Sequence, residues 1–235
     1  MMVRSLDEIK ANVLSVQRKL EEAALSCGRN PADIRMMAVT KRNDADRVNA
    51  AIEAGALLLG ENRAQELLEK YDHYHKENCE IHFIGHLQTN KVRQIIDKVD
   101  LIQSLDRIDL AREIDRCAQN AGKIMPVLIE VNIGREETKS GVLPEKLEDF
   151  VDEAAAFKHL TIKGLMAIPP HEADPMKNEG YFEQMHRHFI DIGSKKTDNI
   201  DMHILSMGMT DDYPLAIRHG STMIRVGRAI FGERM

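Results

Sequence analysis

The chain is short of cysteine, and the little it has is unpaired in sequence. Cys27, Cys79 and Cys117 are its three, far apart and with no C-x-x-C spacing. That excludes a disulfide frame or a zinc knuckle and points to free thiols in a reducing compartment. The N-terminus, MMVRSLDEIK, lacks the apolar run of a signal peptide, and no stretch approaches the length of a membrane span. A cytoplasmic protein with no membrane partner is expected. Net positive charge is also missing: the formal charge is −6. Nothing draws nucleic acid or an anionic surface, so any phosphate site must be local. Lys195-Lys196 is too short a run to change that. Ten histidines produce no H-E-x-x-H, so no metal motif is present. His73-Tyr74-His75 and His186-Arg187-His188 read as solvated surface.

What is present is ordinary for a globular domain: 235 residues, 43% hydrophobic and 30% charged. Ser5-Leu6-Asp7-Glu8 matches a capping box, and Leu6, Ile9, Val13, Val16 and Leu20 follow helical spacing until Gly28 and Asn30-Pro31 end the helix. Short apolar runs then alternate with amphipathic stretches. The runs are Met36–Thr40, Ala56–Gly60, Glu80–Ile84, Asp100–Gln103, Pro126–Val131, Thr161–Ala167, Met202–Leu205 and Thr222–Val226. Helices are expected between them, including Arg63–Tyr71 with Leu67, Leu68 and Tyr71 inward, Asp106–Ala121, Tyr181–Ile192 and Asp212–Arg218. The last helix is short. Each helix acts as a crossover, which forces parallel pairing. Eight such units favour one closed α/β domain over residues 1–235, a (β/α)8 TIM barrel with residues 1–28 as an N-terminal helix packed on it. The alternative is an open doubly wound sheet, but no G-x-G-x-x-G follows any strand.

In such a barrel the functional face lies at the C-terminal strand ends. Those ends read Lys41, Asn62, His86, Ser104, Asn132, Met166, Ser206 and Arg228. All but Met166 are polar. Ser206-Met207-Gly208-Met209-Thr210 and Gly227-Arg228 follow the last two strands, where barrels often bind phosphate on backbone amides. Taken alone, that pattern fits a phosphate cradle and an ordinary pair of turns equally well. Arg225 sits inside the last strand between Ile224 and Val226 and should point into the barrel, where it needs a partner. An isolated strand arginine is more often a structural ion pair than a ligand contact. Lys41 by itself reads as a solvated strand end. To attack an aldehyde it must lose its proton, which requires burial or nearby positive charge such as Arg225 or Arg228.

The blocks MMAVTK, LGENRAQE, IHFIGHLQTNK, IEVNI–REETKSGV, IKGLMAIP, LSMGMTDD and STMIRVGRAIFG, in this order, resemble those of the pyridoxal-phosphate homeostasis proteins, a family similar to the barrel domain of alanine racemase. The resemblance runs from about Arg35 to Gly232. It implies that Lys41 forms an internal aldimine with pyridoxal 5′-phosphate. It gives the phosphate to Ser206 and to backbone amides near Gly208, Gly227 and Arg228. It sets Arg225 against the pyridine nitrogen and places Asn62 and His82 beside the ring, with an ordinary core histidine as the other reading of His82. Three positions depart from the family pattern: Ile81 where Trp is frequent, His86 where a small residue or Pro is usual, and Arg228 where Thr is common. A backbone contact survives the last change, and a side-chain hydroxyl contact does not.

The resemblance implies a carrier and buffer of the cofactor, with little or no turnover, that hands it to apo forms of pyridoxal-phosphate enzymes. A guanidinium at the ring nitrogen disfavours its protonation and weakens the ring as an electron sink. Racemases of this type add a C-terminal β domain with a tyrosine acid/base, whereas this sequence ends at Met235, three residues after Gly232. Two-base racemisation needs a second proton donor, and none stands out among Tyr71, Tyr74, Tyr181 and Tyr213. A pyridoxal-phosphate racemase or lyase is the alternative, and a cofactor-free Schiff-base aldolase acting on a phosphosugar is a third reading. A monomer or weak homodimer is expected. Loops 133–142 and 168–175 are candidates to close over a ligand.

Overall fold

The computed structural model describes residues 4–170, 175–195 and 197–232. Helix α1 (Leu6–Ser26) opens on the expected capping box. The Glu8 amide donates to Ser5 Oγ at 3.2 Å, and the Ser5 amide donates to the Glu8 carboxylate at 2.6 Å. Its buried face is Ile9, Val13, Val16, Leu20 and Ala24.

Eight strands follow: β1 (Arg35–Val39), β2 (Leu58–Glu61), β3 (Glu80–Phe83), β4 (Leu101–Leu105), β5 (Met125–Val131), β6 (Leu160–Ala167), β7 (Ile200–Ser206) and β8 (Met223–Val226). Between and after them lie α2 (Ala45–Glu53), α3 (Ala64–Lys70), α4 (Thr89–Ile95), α5 (Ile108–Asn120), α6 (Leu147–Ala154), α7 (Pro175–Gly193), α8 (Tyr213–Arg218) and α9 (Arg228–Phe231). Each strand pairs in parallel with the next, and β8 returns to β1 with Met37 opposite Arg225, so the sheet closes. The fold is a (β/α)8 TIM barrel preceded by α1. Closure removes the open doubly wound sheet, which needs two free edges.

Strand alternation sorts the side chains into two cores. One face fills the barrel, with Met37, Leu128, Met166 and Met223 in one buried cluster. The other packs under the helices. Toward the strand C-termini the interior becomes polar, through Gln103, Ser206 and Arg225, all buried. At the β6–β7 seam the register shifts, and Gly164 sits at φ 153° with space for no side chain: a Cβ there would lie 1.7 Å from the Ile204 carbonyl oxygen.

The short last helix is completed by side chains of the N-terminal segment and of α2. Helix α1 packs on α2, α8 and α9. Arg4 donates to the Ala229 carbonyl at 2.7 Å, Asn12 to that of Ile230 at 3.0 Å and Arg47 to that of Phe231 at 2.6 Å. These side chains satisfy the carbonyls that a four-residue helix leaves exposed.

Several boundaries differ from the sequence reading. β2 starts at Leu58 rather than Ala56. β7 runs from Ile200 rather than Met202, because its first half lies at the surface, with Asp201 and His203 exposed, and carries no apolar run. α7 starts at Pro175, which fits the first turn of a helix, rather than at Tyr181, so the helix takes over where loop 168–175 was expected to end. Residues 171–174 of that loop, and Lys196, lie outside the described residues. In α3, Tyr71 follows the helix and is only half-buried beneath the Lys76 and Lys98 ammoniums, while Lys70 turns inward.

Candidate functional site

Lys41 stands where β1 ends at the barrel mouth. It follows buried Thr40 and precedes Arg42, a non-glycine residue at φ 61°. That turn is held from below. Glu61, fully buried, accepts from the Thr40 hydroxyl at 2.6 Å and from the Tyr74 hydroxyl at 2.5 Å, and it pairs with Lys70 at 2.9 Å. Lys70 also donates to the Thr40 carbonyl at 3.2 Å and to Glu66 at 2.9 Å, and Glu66 accepts the Arg42 amide at 2.5 Å. Burial, reinforced by the Glu61 carboxylate, pushes the Tyr74 phenol far above its ordinary pKa.

Beside Lys41 opens a cleft of about 240 Å³, lined also by Arg42, Asn62, Arg63, Glu66, Gly85 and His86. Asn62 Oδ1 is buried there with no hydrogen-bond partner among the described residues. Gly85 gives this cleft its shape: a Cβ would fall 2.0 Å from the Asn62 carbonyl oxygen. His86 is exposed, with Nδ1 3.2 Å from Ser140 Oγ and 3.7 Å from the Asp106 carboxylate.

Arg225 is buried inside the barrel, as its strand position requires. Its Nη1 donates to Ser206 Oγ at 2.7 Å and its Nη2 to the Ala167 carbonyl at 2.8 Å. Burial lowers its pKa to about 10, with Asp212 and Glu130 opposing the shift, so it stays charged at neutral pH. Its amide donates to the Gly208 carbonyl at 3.0 Å, which ties β8 to the turn after β7. Gly208 takes φ 92°, and a Cβ there would lie 2.6 Å from Ala216 Cβ. Gly227 caps the start of α9. Arg228 turns outward and pairs with Asp211.

Two residues expected at the ligand are engaged within the protein. The sequence reading gives Ser206 to a phosphate. In the structure its hydroxyl is fully buried and donates to Gln103 Oε1 at 2.7 Å. His82 does not reach the mouth. It is 1% exposed, with Nδ1 3.0 Å from Gln103 Nε2 and Nε2 3.4 Å from the Glu80 carboxylate. Burial lowers its pKa, so it is neutral near pH 7. Asn132 also turns from the mouth: its side chain donates to the Glu136 carbonyl at 2.8 Å and accepts the Glu136 amide at 3.1 Å, curling loop 133–142 on itself.

Gln103, Glu130, Glu61 and Lys70 were missed. Gln103 and Glu130 are polar residues inside apolar strands, the same anomaly that singled out Arg225. Burial, with Asp106 nearby, pushes the Glu130 carboxyl up to about 7 against the pull of Arg225.

With this geometry in place, comparison with known proteins decides the family. Residues 5–235 match the model of the alanine racemase N-terminal domain. A pyridoxal phosphate homeostasis protein of Haemophilus influenzae is 37% identical over 228 residues, covering 96% of each chain. The chain belongs to the pyridoxal phosphate homeostasis protein family. Among solved structures, an unknown protein from Bifidobacterium adolescentis superposes with a TM-score of 0.90 at 35% identity, covering 96% of this chain and 95% of the other. PipY of Synechococcus elongatus, solved with PLP bound, gives 0.79 at 29% identity, covering 91% of this chain and 100% of the other. In this homeostasis-family chain, Lys41, Asn62, Arg225, Gly208 and Gly227 sit at or just below one end of the barrel. His82 stands deeper, and the Arg228 side chain faces away.

Proposed function

We propose that the chain holds pyridoxal 5′-phosphate covalently through Lys41 and serves its homeostasis as a carrier. The single observation that carries this reading is Lys41 at the end of β1, beside a cleft, in a chain that matches the homeostasis family over nearly its whole length. The residues present fit the group. An amine stands at the rim, Asn62 Oδ1 is a buried acceptor with no hydrogen-bond partner among the described residues, and a buried guanidinium lies below. Bound, the cofactor supplies an aldehyde that a neutral lysine amine can attack. Arg225 is donor-only, so it would leave a ring nitrogen facing it unprotonated. Backbone amides around Gly208, Gly227 and Arg228 would hold the anionic end, and Ser206 supports Arg225 from within the barrel.

A carrier is favoured over a racemase by where the phenols lie. Tyr74 is buried and bonded to Glu61, Tyr213 is buried at the start of α8, Tyr71 lies beneath two ammoniums, and Tyr181 is half-buried in α7. The relatives, moreover, are named for homeostasis. The recipients are apo forms of enzymes that use the cofactor. We place the protein in the cytoplasm as a monomer or weak homodimer. Among the described residues no helix is long and apolar enough to cross a membrane.

The test is absorbance. Purified protein mixed with pyridoxal 5′-phosphate should develop the band of lysine-bound cofactor, and Lys41→Ala should abolish it. A band that survives this substitution ends the reading. Racemase or lyase activity is tested by α-proton exchange of amino acids in deuterated water, where a carrier gives none.

A further inference from the structure

Five side chains form one line through the barrel. Glu80, half-exposed, pairs with Arg35 at 2.8 Å and lies 3.4 Å from His82 Nε2. His82 Nδ1 is 3.0 Å from Gln103 Nε2, Gln103 Oε1 is 2.7 Å from Ser206 Oγ, and Ser206 Oγ is 2.7 Å from Arg225 Nη1. The two ends dictate the sense of the whole line. A guanidinium only donates, so Ser206 accepts from Arg225. The single serine proton must then go to Gln103, which has to meet it with oxygen. The Gln103 amino group therefore faces His82 Nδ1, with Met223 Sδ at 3.1 Å as its second contact. Nδ1 must be bare, and the ring proton sits on Nε2, facing a carboxylate that only accepts. Starting from Glu80 gives the same answer.

We infer that Gln103 is a positioning residue for the proposed cofactor site: it sets this line in one sense, so that Ser206 presents Arg225 with an acceptor and holds the guanidinium in place below the mouth. The inference rests on the reading that the site takes pyridoxal 5′-phosphate. Reversing the Gln103 amide fails at both ends. Ser206 would face two donors, and its own proton would turn elsewhere. His82 would need its proton on Nδ1, leaving a bare Nε2 against the Glu80 carboxylate. A glutamine that merely filled space would tolerate either orientation. The line also explains why the Ser206 proton is not available to a phosphate, and why His82 acts without touching the mouth.

The test begins with the full chain carrying 15N-labelled histidine and no added cofactor. Near neutral pH, His82 should show a proton on Nε2 and a bare Nδ1. In Q103E the new carboxylate accepts from both neighbours. His82 should then carry both protons and keep them to a pH about one unit or more above the wild-type value. A wild-type His82 protonated on Nδ1, or a His82 signal unchanged in Q103E, overturns the inference. With pyridoxal 5′-phosphate added, Q103L should retain the cofactor about tenfold less tightly, the scale of one lost hydrogen bond. Retention equal to wild type overturns the positioning role. If Q103L does not fold, Q103E carries this arm: its carboxylate still accepts the Ser206 proton, so retention within about threefold of wild type is expected, and a loss of about tenfold overturns the positioning role. A wild type that shows no cofactor band counts against the Lys41 reading and leaves the histidine result standing.

Discussion

Lys70 Nζ lies 2.9 Å from Glu61 Oε1, directly beneath the turn that carries Lys41. The same ammonium reaches the Thr40 carbonyl before Lys41 and Glu66, which in turn holds the Arg42 amide after it. One buried cation thus braces both sides of the proposed attachment point. Removing it strands a carboxylate that is fully buried. Lys70→Met should destabilise the fold by about 3–5 kcal/mol, the cost of breaking a buried pair by deleting one partner. Urea unfolding checks this, and a loss below about 1 kcal/mol would rank the pair with surface ion pairs.

Gly85 tests the shape of the cleft. A methyl at this position meets the Asn62 main chain, at 2.0 Å from the oxygen and 2.7 Å from the carbonyl carbon. Backbone cannot rotate away as a side-chain tip can. Gly85→Ala should cost about 1–3 kcal/mol through overpacking and weaken cofactor retention, because Asn62 must move. Gly180→Ala is the control, since a Cβ there meets nothing within 4 Å in α7. It should stabilise by roughly 0.5–1 kcal/mol and leave retention unchanged. Equal retention in both variants would detach Asn62 from the site.

The repeating strand–helix alternation and the polar strand ends were legible because each depends on residues close in sequence. Arg225 was legible as an anomaly, a charge between Ile224 and Val226. Gln103 offered the same kind of anomaly within LIQSL, but its partners come from β3 and β7, and no spacing reports them. Lys70 was hidden for a related reason. The apolar pattern of α3 made Tyr71 the inward residue, whereas the Glu61 carboxylate from β2 and the Thr40 carbonyl after β1 draw the lysine inside. The first half of β7 was lost because Asp201 and His203 face solvent and break the apolar run.

Arg228 separates a backbone grip from a side-chain grip. Its guanidinium is already paired with Asp211 at the surface, while its amide lies in the first turn of α9. Arg228→Ala keeps the amide and removes an exposed ion pair, worth about 0–1 kcal/mol. Cofactor retention should stay within about fivefold of wild type. A loss of about a hundredfold in a titration followed by absorbance would hand the anionic group to the guanidinium instead.

Glu130 makes stability fall as pH rises, the reverse of the usual carboxylate. Its carboxyl sits inside β5, and burial, with Asp106 adding repulsion and Arg225 relieving part of it, moves its pKa from 4.5 to about 7. Between those two values the folded chain keeps a proton that the unfolded chain has released. Stability from this group is therefore complete below pH 4.5, declines through that window, and is gone above about 7. Glu130→Gln has no proton to lose and mimics the neutral carboxyl. The variant should match wild type near pH 5 and exceed it near pH 8, by up to roughly 3 kcal/mol at 1.36 kcal/mol per pH unit. Urea midpoints of both proteins at the two pH values isolate the effect, because every other titrating group is shared. A variant less stable than wild type at the higher pH would mean that the ionised carboxylate is a net support for Arg225, and that the attraction between them outweighs the cost of burying the charge.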